Sequence, residues 1–223
     1  MRAAIVALQF MTRLPLPAVA ATSRDFGMAI RWFPMVGVIV GGAVAGAGWL
    51  GALRDPALGA LMALLAWVGI TGALHLDGLG DIADATGAAH ANPDRLRAVL
   101  ADPHIGSFGV SAIVLQMLSK LVLLGLAVRA QAFVSLGLVA MLGRIGPLAW
   151  ARFLPPLHEG IGTLFRQGAT LPALVAWLAG WLLTPLPSQR SDVGMDFCNG
   201  KWRTVSNVKS SDLTSMRWPC NRP

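Results

Sequence analysis

Three stretches of this chain, residues 33–53, 57–76 and 167–189, contain no Asp, Glu, Lys or Arg. Each reaches the ~20 residues with which a helix crosses the hydrocarbon core of a bilayer. A run of this kind has no polar face to offer water, whereas in lipid a helix satisfies its own backbone groups. Composition agrees, with 55% of residues hydrophobic and 13% charged, against the ~25% charged that is usual for soluble domains. Two further spans, 105–128 and 132–151, are interrupted by Lys120 and Arg144. A charge at that depth is costly and normally faces a protein interior, a water-filled cavity or a ligand. The expected fold class is therefore all-α, a polytopic integral membrane helical protein with about five spans. The glycine-rich stretch 41–48 lets helices approach closely, which predicts one tightly packed helical unit. Neither a second globular domain nor a solenoid-type repeat is evident.

The first residues, Met1-Arg-Ala-Ala-Ile-Val-Ala-Leu8, mimic a secretory signal, and Ala18-Val19-Ala20 mimics a cleavage site. Arg13, Pro15 and Pro17 interrupt the apolar region first. The expectation is instead an amphipathic helix at the membrane interface, with plain core packing as the alternative. Orientation follows from the basic residues. Arg2, Arg13, Arg24 and Arg31 precede the first span with one acid, Asp25, among them, which assigns this segment to the cytoplasm. Alternation then puts Arg54 outside, residues 77–104 inside, Arg129 outside and the 152–166 loop inside. Arg95 and Arg97 agree with that assignment. The expected location is therefore a membrane, with residues 77–104 on its cytoplasmic face.

After Pro187 the texture changes to Ser, Asn, Asp, Lys and Arg, and both cysteines, Cys198 and Cys220, lie there. Two domains are expected: a membrane domain, 1–187, and a polar tail, 188–223. Phe197, Trp202 and Trp218 are unusual in a disordered tail, and alternation would carry this basic segment outside, against the charge rule. A frameshifted or otherwise non-native terminus is the expectation, and a natural polar tail the alternative. The cysteine spacing fits no metal or redox pattern. The tail also inflates the net charge of +7, which is therefore no sign of nucleic-acid binding.

Chemistry concentrates in His75-Leu-Asp-Gly-Leu-Gly-Asp-Ile-Ala-Asp84. Offsets of four and seven residues put Asp77, Asp81 and Asp84 within a narrow arc of one helix. No Lys or Arg lies between Arg54 and Arg95, so repulsion would raise their pKa values unless a cation were present. Magnesium, which takes one or two carboxylates plus waters and substrate phosphates, suits this half-site. Gly78 and Gly80 weaken helix propensity, so the first turn is expected to open. The alternative is a solvated helix face with an Asp N-cap.

A second signal is Asp102-Pro-His-Ile-Gly-Ser-Phe-Gly109. Gly106, Ser107 and Gly109 can present backbone N–H groups to a phosphate at a helix start, where the dipole favours an anion. Asp102 could complete the metal shell and His104 could donate to a phosphate oxygen, although Asp-Pro followed by glycines is also an ordinary turn. His75, on a continuous helix, would turn away from the aspartates. Arg13, Arg144 and Arg152 are candidates for clamping phosphates. Arg144 is the best of them, because its depth needs an explanation, and Lys120 shares the argument with less support. For each arginine, setting topology or snorkelling is the alternative.

These residues resemble the cobalamin synthase family, also called adenosylcobinamide-GDP ribazoletransferase. The matching pieces are Phe10-Met-Thr-Arg-Leu-Pro15, Trp32-Phe-Pro-Met-Val-Gly37, Thr71-Gly-Ala-Leu-His-Leu-Asp-Gly-Leu-Gly-Asp-Ile-Ala-Asp84 and Asp102-Pro-His-Ile-Gly-Ser-Phe-Gly109. Gly143-Arg144 and Gly160-Ile-Gly-Thr-Leu-Phe165 look like weaker later segments. The resemblance covers residues 4 to about 187 and implies a magnesium-dependent membrane transferase of cobalamin biosynthesis. Such an enzyme joins adenosylcobinamide-GDP to α-ribazole or its 5′-phosphate and releases GMP. It implies Asp77, Asp81 and Asp84 as metal ligands, Asp102 as a further ligand or the base, and Arg13 and Arg144 on phosphates. A homo-oligomer is compatible with this reading. The family resumes later with a Gly-Gly-x-x-Gly-Asp-x-x-Gly-Ala element and further spans, where this chain has its polar tail. That departure predicts weak or absent activity for the chain as written.

Two alternatives compete. A CDP-alcohol phosphotransferase-like enzyme also joins an alcohol to a phosphate with clustered Asp, but expects an Arg soon after its Asp-Gly pair, where Ile82 and Ala83 stand. A cation transporter would want its carboxylates near mid-span, whereas these lie at a span's end.

Overall fold

The computed structural model describes residues 1–89, 99, 104–155, 160–184, 193–196 and 201–204. Its helices are α1 (Arg2–Met11), α2 (Ser23–Ala29), a 3₁₀ turn (Ile30–Trp32), α3 (Phe33–Ala52), α4 (Pro56–Thr71), α5 (Leu74–Ala89), α6 (Ser107–Arg129), α7 (Phe133–Phe153), α8 (Ile161–Gly168) and α9 (Leu171–Leu183). The chain divides into two units, Met1–Pro187 and Ser188–Pro223. In the second, β1 (Val193–Asp196) pairs antiparallel with β2 (Lys201–Thr204), a hairpin that the sequence pattern of the tail did not announce.

Helix starts follow local chemistry. Thr22 and Asp25 form a reciprocal capping box at α2, the Thr22 hydroxyl accepting from the Asp25 N–H and the Asp25 carboxylate from the Thr22 N–H. The Asp55 carboxylate accepts from the N–H groups of Ala57 and Leu58 at 2.7 and 3.3 Å, with Pro56 pre-set for the first helical position of α4.

Helix α3 is the centre of the first unit and packs on both α7 and α4. Val36, Val40 and Val44, four residues apart, form its buried stripe. Its glycines set the two approaches. A side chain on Gly37 would meet the Ala140 carbonyl oxygen at 2.6 Å, and one on Gly41 would meet Gly137 Cα at 2.5 Å, both on α7. On α4, Gly59 fills the same role against Gly51, whose Cβ would lie 2.7 Å from Gly59 Cα. The close packing expected of residues 41–48 therefore belongs to Gly41 and Gly48, while Gly42 and Gly46 face open space. Away from these contacts large apolar side chains point outward, among them Leu115, Val122 and Leu123 on α6 and Val139 on α7, as a lipid-facing surface requires.

The described residues hold three or four of the about five spans expected. Among the described residues, three helices are long and apolar enough to cross a membrane: Ser23–Ala52 taken through the 3₁₀ turn, α6 and α7. The expected span 57–76 is broken: α4 and α5 meet at 84°, and the pair can count as a fourth. Gly72 takes the left-handed conformation at φ 60°, and Ala73 repeats it, which ends α4 and redirects the chain. In the region 167–189, Ala169 and Thr170 separate α8 from α9, whose 13 residues fall short of a bilayer crossing among the described residues. At the N-terminus, α1 forms as a helix and buries Val6 and Ala7 in the core of the unit.

Candidate active site

The break between α4 and α5 makes a cavity. The chain after α1 crosses it, with the Arg13 N–H donating to the Ile70 carbonyl at 2.7 Å. The Arg13 side chain lies over Gly72, where a Cβ would collide with it. Arg13, Thr71, His75 and Arg144 line a cavity of about 790 Å³, together with Gln9 and Phe10. That volume lies within the ~300–1,000 Å³ usual for ligand sites. Two arginines separated by most of the chain thus face one space.

Arg144 reaches it from α7 past Gly37, which has no side chain to obstruct the Arg144 Cδ. Its Nη1 donates to the Ala140 carbonyl at 3.0 Å, while its Nε is buried without a hydrogen-bond partner. An orphaned guanidinium N–H is costly, and an anionic ligand is its natural partner. Thr12 and Thr71, both 3% exposed, return their hydroxyls to carbonyls one turn back, those of Leu8 and Trp67, and so leave the cavity's cationic groups as its polar feature.

His75 has its own partner on α6. Its Nε2 is 2.6 Å from the Lys120 Nζ, which also lies 4.8 Å from the centroid of Trp67. The depth of Lys120 in its span is explained by these two partners, one on α5 and one on α4. Sequence reasoning treated Lys120 and His75 separately, because 45 residues divide them. The unexplained charge in a span was the available signal for Lys120; nothing in the pattern named its partner.

The aspartates occupy α5, which starts at the cavity wall with Leu74 and His75. Asp77 and Asp81 are exposed one turn apart. Asp84 is tied to the start of α6. Its two carboxylate oxygens accept from the N–H groups of Gly106 and Gly109, at 2.7 and 2.8 Å. The same bonds correct the phosphate role expected of Gly106 and Gly109: the start of α6 holds an anion, and that anion is the Asp84 carboxylate. Both glycines are required, since a Cβ on either would run into that carboxylate. Ser107 opens α6 and gives its carbonyl to the Ser111 hydroxyl, and His104 is exposed just before it. Asp102 lies outside the described residues, as do Arg95 and Arg97.

The expected opening of the α5 first turn does not occur; α5 is continuous and the break falls earlier, at Gly72 and Ala73. Gly80 serves packing, because a side chain there would meet Ile105 and Ile113, whereas Gly78 faces open space. Arg152 is exposed near the end of α7, above the ring of Phe153.

Among the described residues, no three His, Cys, Asp or Glu converge on a point able to hold a metal. A closed protein cage is thereby set aside for them. Asp77 and Asp81 still fit the chemistry of magnesium, which takes one or two carboxylates and completes its shell with water and phosphate.

The fold is that of a helical membrane protein in which Arg13 and Arg144 line one cavity at a broken span, with carboxylates on the helix that leaves it. The chain belongs to the cobalamin-5-phosphate synthase family, whose model it matches over residues 3–195. It is 58% identical over 183 residues to the adenosylcobinamide-GDP ribazoletransferase of Novosphingobium aromaticivorans, spanning 80% of this chain and 74% of that protein. The protein of that name from Thiobacillus denitrificans is 50% identical over 189 residues, with 82% and 73% covered. That from Laribacter hongkongensis is 48% identical over 196 residues, with 82% and 80% covered. No solved structure matches the chain.

Proposed function

We propose that this chain is a membrane transferase of cobalamin biosynthesis that joins adenosylcobinamide-GDP to α-ribazole, or to its 5′-phosphate, with release of GMP. The observation that carries the reading is the convergence of Arg13 and Arg144, the latter with an orphaned Nε, on one cavity beside the aspartate helix. Family membership and the names of the relatives supply the substrates.

A nucleotide pyrophosphate carries the charge that two guanidinium groups complement, and arginine binds phosphate oxygens through paired N–H donors. Arg13 and Arg144 hold the pyrophosphate and fix the cobinamide-side phosphorus for attack. The ribazole hydroxyl forms the new P–O bond as the bond to the bridging oxygen of GMP breaks, and GMP leaves with the electron pair. The hydroxyl proton has Asp102 as its candidate acceptor on the family pattern. Positioning and charge neutralisation provide most of the rate in such transfers. Asp77 and Asp81 would hold a magnesium ion, which when bound neutralises the pyrophosphate and the leaving phosphate. Asp84 acts as a positioning residue by pinning α5 to the start of α6. Lys120, itself set over the Trp67 ring, holds His75 at the cavity wall.

The membrane is the bacterial plasma membrane, and the site faces the cytoplasm. The basic N-terminal segment and the α4–α5 break support this jointly, since Arg13 touches both and puts them at the same end of the helices.

The test is transfer by the chain in lipid membranes supplied with adenosylcobinamide-GDP, α-ribazole and Mg²⁺, with GMP and cobalamin both measured. Equimolar appearance of the two supports the reading, as does its loss when Asp77→Ala and Asp81→Ala are combined. Turnover unchanged in that double variant, or absence of both products from a version that carries the family's C-terminal element in place of residues 188–223, overturns it.

A further inference from the structure

Beside the cationic cavity lies a second one, of about 390 Å³, and it is apolar in character. Its walls come from four separate parts of the chain: Phe10 near the end of α1, Ile30 in the 3₁₀ turn with Phe33 at the start of α3, Pro147 and Trp150 on α7, and Phe165 and Arg166 on α8. Three of these rings form a cluster. Phe10 stacks on Phe33 at 5.9 Å, and Phe165 stands edge-on to both, at 5.4 and 5.3 Å. Phe10 and Met11 belong to both cavities. A ligand with phosphate on Arg13 and Arg144 therefore meets the partition between them.

We infer that the apolar cavity is the subsite for the aromatic base of the nucleoside acceptor, the dimethylbenzimidazole of α-ribazole. The inference rests on the proposed function and names the occupant of a neighbouring part of the same site. Size limits the choice, because this volume lies at the low end of the ~300–1,000 Å³ range for ligand pockets. A fused bicyclic base suits it, whereas a corrin ring with its amide arms does not. Chemistry separates the two bases present in the substrates. Guanine carries donors as well as acceptors around its edge, and the lining side chains with polar groups, Trp150 and Arg166, only donate, so guanine's own N–H groups would find no side-chain acceptor there. The methylated edge of a benzimidazole makes no such demand, and aromatic rings prefer the offset and edge-on contacts that this cluster offers. Adjacency supplies the last argument: the acceptor hydroxyl must reach a phosphorus held by the arginines, so its base must lie within one nucleoside length, on the far side of Phe10.

Gly162 lines this cavity and has open space where a side chain would project. Gly162→Leu therefore fills the subsite without removing a packing contact, while Phe165→Leu removes a ring and keeps an apolar residue. The full chain in lipid nanodiscs is titrated with labelled α-ribazole and, separately, with adenosylcobinamide-GDP, so that the readout does not depend on turnover. Each variant is expected to weaken α-ribazole binding about ten-fold or more and to leave adenosylcobinamide-GDP within about two-fold. Unchanged α-ribazole affinity in both variants overturns the subsite. So does a loss confined to adenosylcobinamide-GDP, which would mark a guanine pocket. A third contrary outcome is α-ribazole affinity that follows lipid chain length in the parent and is indifferent to both substitutions, which would mark an acyl-chain groove. A parent chain that binds neither substrate strikes the proposed function itself, and is thereby distinguished from a parent that binds both while the variants change nothing.

Discussion

Asp84 shows how one carboxylate can be drawn away from its neighbours by geometry. Two backbone N–H groups at the start of α6 hold it, and charged acceptors make such bonds stronger than neutral ones. Removing the carboxylate leaves both donors without a partner. Asp84→Ala is therefore expected to destabilise the fold by about 1–3 kcal/mol, with Asp84→Asn intermediate. Thermal unfolding in detergent measures this. The Mg²⁺ concentration for half-maximal turnover of Asp84→Asn should stay at the parent value, whereas a shift of ten-fold or more would restore Asp84 to the metal shell. Arg144 carries a complementary prediction. Arg144→Lys keeps the charge but loses the planar fork, so kcat/KM for adenosylcobinamide-GDP should fall at least about ten-fold with little loss of stability. Equal kinetics for Lys and Arg would reduce Arg144 to a topological charge.

The glycines of α3 divide by what faces them. A methyl on Gly41 would press on Gly137 Cα and on Ala140 of α7, while one on Gly42 enters open space. Gly41→Ala is expected to cost about 1–3 kcal/mol through overpacking, and Gly42→Ala to be neutral or stabilising by up to about 1 kcal/mol. Unfolding of the two variants under matched detergent conditions separates them, and identical shifts would sink the packing account. The contrast also shows where sequence reading stops. Residues 41–48 announce close helix approach, but the partner of each glycine depends on how α3 is rotated against α4 and α7. The same limit applies to α5: glycine at 78 and 80 suggested an opened turn, yet the break lies at Gly72, where left-handed backbone accommodates the Arg13 side chain.

Across the first unit, the broken pair α4–α5 decides the topology. If residues 77–104 face the cytoplasm, cysteines placed at Arg54 and Thr86, both exposed, should react from opposite sides of right-side-out vesicles. In a background of Cys198→Ser and Cys220→Ser, an impermeant maleimide is expected to label position 54 directly and position 86 after permeabilisation. Direct labelling of both would instead make α4–α5 a re-entrant pair. The helical membrane class and the basic N-terminal segment were legible from uncharged runs and charge placement. Pairings were not, and Arg13 with Arg144, or His75 with Lys120, are pairings.

Local order alone settled what this chain is made of: apolar runs that only a bilayer accommodates, aspartates at helical spacing, and glycines where a backbone must come close. Which aspartate stays exposed and which caps α6, which arginines share a cavity, and which phenylalanines enclose a second one depended on contacts between residues tens of positions apart. Hydrophobicity and helical period act over a few residues and leave their mark in the pattern. The angle of a helix break and the rotation of one helix against another are set by packing over the whole unit, and no short stretch of sequence carries them.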